Sequence, residues 1–261
     1  MPDLIDEVPP RAAQPIEPRL TLTGHLEELR RRLGVSLAAL LLAIGISATQ
    51  IERLIAWLRR PAEGLLPAFA FFSPTEPLIA YLKVACLAGI IFAMPVILLQ
   101  VWGFVRTGLT PQERSLGLAF VGWGSVLFAA GAAFAYAVLL PVSLRVLLGI
   151  GRGTLEPVIS IDTYLSFVTT MAFWCGAVFE LPALVWLLAK VGVVTPAWLR
   201  QSRPYAILVM VIIAALVTPT TDPVSLLLMT APLLVLYEVS IGMARVAATA
   251  PPRSQPTPPQ R

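Results

Sequence analysis

The chain has 261 residues, of which 57% are hydrophobic and only 13% charged, with a formal net charge of +4 and a mean hydropathy of +0.81. A soluble domain carries roughly a quarter charged residues, so a water-soluble fold is excluded and a polytopic membrane protein of packed helices is expected. The two cysteines, Cys86 and Cys175, lie inside apolar runs without CxxC spacing and read as small core residues, not as a redox or metal pair.

Residues 1–20 are Pro-rich and mixed in charge, with no apolar central stretch, so they read as a disordered tail and not as a signal peptide. From Thr21 an amphipathic pattern begins, with Leu22, Leu26, Leu29 and Leu33 at helical spacing. Its polar side carries HLEELRRR, His25 to Arg32, and it runs into a first apolar span, about Leu33 to Ile51. Residues 52–76 read as a loop with a short helical piece, IERLIAWLRR. A second span is expected over Pro77 to Phe104 and a third over Ser115 to Leu140, stopped by Pro141. After a loop over 141–162 comes the fourth span, which includes Leu165 to Lys190 and has Glu180 near its middle, and a Pro- and Arg-containing connection over 191–204. Tyr205 to Val217 and Val224 to Tyr237 are the fifth and sixth spans. These two are short, rising about 20 Å against a hydrocarbon core of ~30 Å, so the bilayer is expected to thin beside them. The resulting division is a tail over 1–20, a six-helix membrane domain over 21–245 and a Pro-rich tail over 246–261.

Four helix starts pair a capping residue with a proline: Ser73-Pro74, Thr110-Pro111, Thr195-Pro196 and Asp222-Pro223. Ser73 with Glu76, and Thr110 with Glu113, also have capping-box spacing. Orientation follows from the basic residues. With both termini on one side, that side receives Arg11, Arg19, Arg30, Arg31, Arg32, Arg106, Arg114, Lys190, Arg200, Arg203, Arg245, Arg253 and Arg261. The other side receives Arg53, Arg59, Arg60, Arg145 and Arg152, and Lys83 lies within a span, so both termini are expected in the cytoplasm.

Catalytic classes fail quickly. The single histidine, His25, is at the cytoplasmic surface, no His, Cys or carboxylate cluster has metal-ligand spacing, and no phosphate loop occurs, so neither an enzyme nor a bound cofactor or metal is expected. Glu27 and Glu28 form i,i+4 pairs with Arg31 and Arg32, which suits a solvated helix face; equally, a carboxylate there can receive a guanidinium from a partner. Glu113 reads as a helix cap or as a second such carboxylate. Glu76 and Lys83 share a helix face, with Lys83 able to snorkel to the outer surface. Asp162 and Asp222 read as helix N-caps on the outer side, and Glu238 as the partner of Arg245 or of a lipid headgroup. Glu180 has no basic residue one turn away, and Pro182 behind it should bend its helix. An ionisable group at that depth costs at least ~2.5–3.5 kcal/mol on insertion scales and so marks a site by default. It is either a neutral carboxyl hydrogen-bonded inside the bundle or a polar handle facing a cavity or a partner helix.

Taken together, HLEELRRR at 25–32, FFSPTEPLIAYLK at 71–83, PVILLQVWGFVRTGLTPQER at 95–114, FAYAVLLP at 134–141, YLSFV at 164–168, GAVFELP at 176–182, SRPYAIL at 202–208, TPTTDPVS at 218–225 and LYE at 236–238 resemble the TatC family. That family is the multi-spanning subunit of the twin-arginine (Sec-independent) protein translocase. The resemblance covers about residues 21–245 and implies an all-α, glove-like concave bundle of six bent helices in the bacterial cytoplasmic (inner) membrane. It implies binding of twin-arginine signal peptides and export of folded proteins, driven by the proton-motive force, with TatA- and TatB-like single-span partners in a larger, homo-oligomeric complex; no nucleic acid is implied. By motif match Glu28 and Glu113 receive the two arginines, with Phe104, Arg106, His25 and Arg30 in the same blocks. Glu180 opens onto the concave surface, the short fifth and sixth helices dock a partner at Met210 or Val211, and Lys83, Glu76, Gln100, Asp162, Asp222 and Pro182 are further positions with structural or docking roles. The main alternative, a secondary transporter of a small solute, predicts an internal repeat, and none is visible between residues 33–140 and 163–245.

Overall fold

The computed structural model describes residues 22–65, 69–106, 114, 117–149, 158–190, 192–217 and 223–248. The expected tail over 1–20 and most of that over 246–261 lie outside these residues. The first helix, α1 (Leu22–Ala48), joins the amphipathic stretch and the first span without a break. It ends where both the N–H and the hydroxyl of Thr49 donate to the Ile46 carbonyl, at 3.2 and 2.7 Å. The short α2 (Ile51–Arg59) follows as the sequence predicts, and then α3 (Glu76–Val105). α1 lies against α3, and the approach is close: a Cβ on Gly89 would come within 2.9 Å of the Ile44 backbone nitrogen. Most of α1 otherwise turns large apolar side chains outward, among them Leu33, Leu37, Leu41 and Leu42, which suits a lipid-facing position.

Pro141 does not stop the third span, contrary to expectation. α4 (Gly117–Phe134) passes through one wide π turn, Ala135–Leu139, into α5 (Leu140–Gly149). The Leu140 N–H donates to Ala135, five residues back, and this wider turn accommodates a proline that has no N–H and whose ring would crowd a normal turn. The fourth span divides into α6 (Ile161–Phe179) and α7 (Leu181–Lys190), followed by α8 (Pro196–Gln201), α9 (Arg203–Val217) and α10 (Pro223–Ala248).

Among the described residues, five helical runs are long and apolar enough to cross a membrane, and α9 is a shorter apolar helix. The last helix is therefore not short, which corrects the sequence reading. Its apolar window, Met229–Ala247, runs straight past Glu238, whose carboxylate pairs with Arg203 at the start of α9 (Nη2 to Oε2, 2.7 Å) and not with Arg245. At fifteen residues, α9 alone stays short, about 22 Å.

The core centres on α6. Tyr164, Leu165, Val168, Met171 and Cys175 pack against Ala135, Leu139 and Leu140, against Ala80 and Val84 of α3, and against Met229 and Leu233 of α10. Without a hydrophobic force between helices in lipid, close packing over small residues holds such a bundle together. α4 shows how: Gly117, Gly124 and Gly131, seven residues apart on one stripe, admit Trp102, the Leu98–Glu180 pair and the α6 backbone at Cys175 and Gly176. A Cβ on Gly131 would come within 2.6 Å of the Cys175 carbonyl oxygen, so Gly131→Val is expected to destabilise the α4–α6 contact by several kcal/mol. A melting temperature equal to the wild type in detergent would disprove that contact.

At the α2 end, two-residue strands β1 (Phe69–Ala70) and β2 (Ile159–Ser160) pair in parallel, Phe69 opposite Ile159 and Ala70 opposite Ser160. The polar groups here are tied across helices rather than used as isolated caps. Lys83 Nζ donates to Asp162 Oδ1 and Ser166 Oγ, both at 2.7 Å, so it joins α3 to α6 instead of snorkelling outward. Ser160, not Asp162, caps α6, its Oγ accepting from the Thr163 N–H at 3.3 Å. α3 begins at Glu76, so Ser73 makes no capping box with it; the Glu76 carboxylate accepts from Ser160 Oγ (2.8 Å) and the Phe72 N–H (3.2 Å). Tyr164 and Tyr136 donate their hydroxyls to the carbonyls of Leu58 and Trp57, at 2.8 and 2.7 Å. Lys83→Ala is expected to cost about 1–3 kcal/mol by leaving Asp162 unpaired. A double-mutant cycle with Asp162→Ala in detergent melts checks this, and zero coupling would break the tie.

Candidate functional site

At the opposite, α8 end, α1 presents Glu28 toward α3 while Glu27, one residue earlier, is exposed. This resolves which glutamate of the pair faces the bundle. Glu28 Oε1 accepts from Arg32 Nε at 3.1 Å and Arg32 Nη2 at 2.5 Å, the i,i+4 pair that the spacing predicts. Both side chains are largely sheltered, at 23% and 18% exposure. Arg32 Nη1 also reaches the Gln100 carbonyl, at 3.5 Å. The guanidinium fits because residue 103 is glycine: a Cβ there would overlap Arg32 Nη1 and come within 2.7 Å of its Cζ. A carboxylate, a helix carbonyl and a bare glycine face thus bound one niche for a planar cation.

Phe104, half-buried, and the exposed Arg106 follow Gly103 at the end of α3, and Arg30 is exposed on α1. Behind them Trp102, Phe120 and Trp186 form an aromatic tier with ring centroids 5.5–6.4 Å apart. Glu113 and its Thr110 capping box lie outside the described residues, as do Asp222 and the side chain of His25. Thr195 caps α8 as predicted, accepting from the Trp198 N–H at 3.2 Å.

The second feature is Glu180, at the joint between α6 and α7. Its N–H donates to Ala177, three residues back, at 3.3 Å, and its carbonyl accepts from Leu184 at 2.9 Å. The break is local, because Pro182 falls in the first turn of α7, where its missing N–H costs nothing. The carboxylate lies over Gly124 of α4: a Cβ there would be 3.0 Å from Oε2 and 3.5 Å from Oε1. Oε1 is buried and has no hydrogen-bond partner among the described residues. The internal hydrogen bond that one sequence reading allowed is therefore absent for that oxygen.

Met210 is turned into the bundle, 4% exposed in the core that contains Met229 and Leu233, and Val211 is half-buried. The outward face of α9 is instead Tyr205, Leu208, Val209 and Ile212. Sequence reading missed the roles of Gly103 and of the Gln100 carbonyl. The glycine spacing on α4 was legible in principle, as three glycines seven apart.

The profile of the family described as Sec-independent protein translocase protein (TatC) matches residues 24–232. The chain belongs to the TatC family. It is 39% identical over 226 residues to the Sec-independent protein translocase protein TatC of Carboxydothermus hydrogenoformans, covering 87% of this chain and 93% of that one. With the TatC of Aquifex aeolicus identity is 38%, covering 87% and 96%. A crystal structure of the twin arginine translocase receptor TatC superposes with a TM-score of 0.75 at 37% identity, covering 85% of this chain and 99% of that one. A second, in DDM, gives 0.77. This family member is accordingly a multi-pass membrane protein and a component of the Tat protein translocase.

Proposed function

We propose that this protein is the receptor for twin-arginine signal peptides, Glu28 and Glu113 each taking one arginine. The observation that supports this most directly is that Glu28 already holds a guanidinium in a sheltered niche at the end of the bundle. A guanidinium offers two parallel donors to a carboxylate, which a lysine cannot match. Phe104, Arg106, Arg30 and His25 are the neighbours of the bound peptide. The protein sits in the bacterial inner membrane with both termini cytoplasmic, has no enzymatic activity, and works in a homo-oligomeric complex with TatA- and TatB-like proteins, driven by the proton-motive force. Residues 1–20 and 246–261 are tails flanking the membrane domain over 21–245. Glu180, opening onto a concave face, meets a polar group of a partner's membrane helix or the apolar part of the signal peptide.

The deciding experiment is deletion in the host followed by complementation. A folded twin-arginine reporter is expected to remain in the cytoplasm of the deletion strain and to leave it once the gene is restored. Export unaffected by the deletion would overturn the proposal in favour of a solute transporter. Partner docking on α9 is read from its outward face: cysteines at Leu208 or Ile212 are expected to crosslink to a single-span partner, and a cysteine at Met210 is not. Crosslinking confined to Met210 would reverse that assignment.

A further inference from the structure

The niche at Glu28 is filled by the protein's own arginine, and this has a consequence for how a ligand enters. We propose that Arg32 is the resident occupant of the arginine-binding niche and that a ligand guanidinium binds by taking its place against Glu28, the Gln100 carbonyl and the open face of Gly103. The inference rests on the reading of Glu28 as an arginine receiver and adds a competition step to it.

Three observations support displacement over simultaneous binding. Arg32 places two of its three guanidinium nitrogens on the same Glu28 oxygen and its third on Gln100, so its fork is fully committed to this niche. The niche admits a single planar cation, since the face of Gly103 against the Arg32 guanidinium has no room even for a methyl group. Arg32 is also a residue of the same helix, four positions on from Glu28, so its release needs only side-chain rotation and no movement of the bundle. Once released, its long stem reaches the membrane surface, where lipid phosphates take up the charge. The internal pair keeps the carboxylate neutralised between binding events, and it sets a threshold that a single lysine, with a compact ammonium in place of a fork, does not cross.

The test is equilibrium binding of a fluorescent peptide with two consecutive arginines to the full-length protein in nanodiscs. Arg32→Ala is expected to bind the peptide more tightly, by about three- to tenfold, the range for removing a partly sheltered competing ion pair. Arg32→Lys is expected to tighten it by less, and it stands in if Arg32→Ala does not elute as a single folded species. Gly103→Ala closes the niche to both guanidinia and is expected to weaken binding by about tenfold or more. Unchanged or weaker binding by the Arg32 variants, with binding still lost in Glu28→Ala, would leave Glu28 as the receiver and overturn the displacement. Gly103→Ala binding like wild type would also overturn it. Wild-type binding by Glu28→Ala would remove the receiver itself.

Discussion

Replacing Glu28 and Glu113 together by alanine is expected to abolish crosslinking of a twin-arginine signal peptide, while the protein still inserts and stays folded. Each guanidinium–carboxylate contact is charge-assisted and contributes about 1.5–3 kcal/mol, so losing one weakens binding by about 10- to 100-fold. Losing both removes all binding that a crosslinker can capture. Insertion survives because the core and the ties at the α2 end lie elsewhere, around α6 and at Lys83–Asp162. Glu28→Ala also strips Arg32 of its partner, but Arg32 lies near the end of α1 and can turn to lipid phosphate. Photo-crosslinking with a probe beside the arginine pair reads the result directly, and crosslinking at the normal level in the double variant would end the assignment. Glu28→Asp is a useful intermediate: it keeps the charge but withdraws it from Gln100 and Gly103, and partial loss is expected.

Glu180→Leu is expected to separate stability from function. Oε1 is buried without a hydrogen-bond partner among the described residues, and such a group costs about 1–3 kcal/mol. Filling the space over Gly124 with apolar atoms of similar size should therefore leave melting in detergent unchanged or raise it by a degree or several. Transport of a folded reporter should nevertheless fall by about tenfold or more if, as proposed, the carboxylate is the polar handle that a partner uses within the membrane. Glu180→Ala should lose transport to the same extent while gaining no stability, since it leaves a cavity beside Leu98 and Gly124. Transport at the normal rate by both variants would reduce Glu180 to a structural group.

The long apolar runs, the proline-marked start at Thr195, the i,i+4 partner of Glu28 and the bend at Glu180 are all local, and all were legible. The errors arose where distant residues decide the outcome. Pro141 read as a stop because helix-breaking is judged along one strand of chain, whereas a π turn between Ala135 and Leu139 absorbs it within a packed bundle. Glu238 read as the end of a span because nothing nearby in sequence announces Arg203, thirty-five residues earlier, as its partner. Lys83 and Asp162 read as a snorkelling anchor and a cap for the same reason: their pairing spans seventy-nine residues.

The sequence by itself determined that this chain crosses a membrane repeatedly, that it resembles TatC, and which carboxylates to watch, because hydropathy and motif order are properties of the linear chain. Only the tertiary structure decided which way each side chain is satisfied. It turned Met210 inward, left Glu180 Oε1 over Gly124 without a hydrogen-bond partner among the described residues, and closed Arg32 into a niche bounded by Gln100 and Gly103 on another helix. The physical reason is that a polar group in a low-dielectric bundle is defined by what faces it across a helix interface, and no one-dimensional pattern of residues specifies that neighbour.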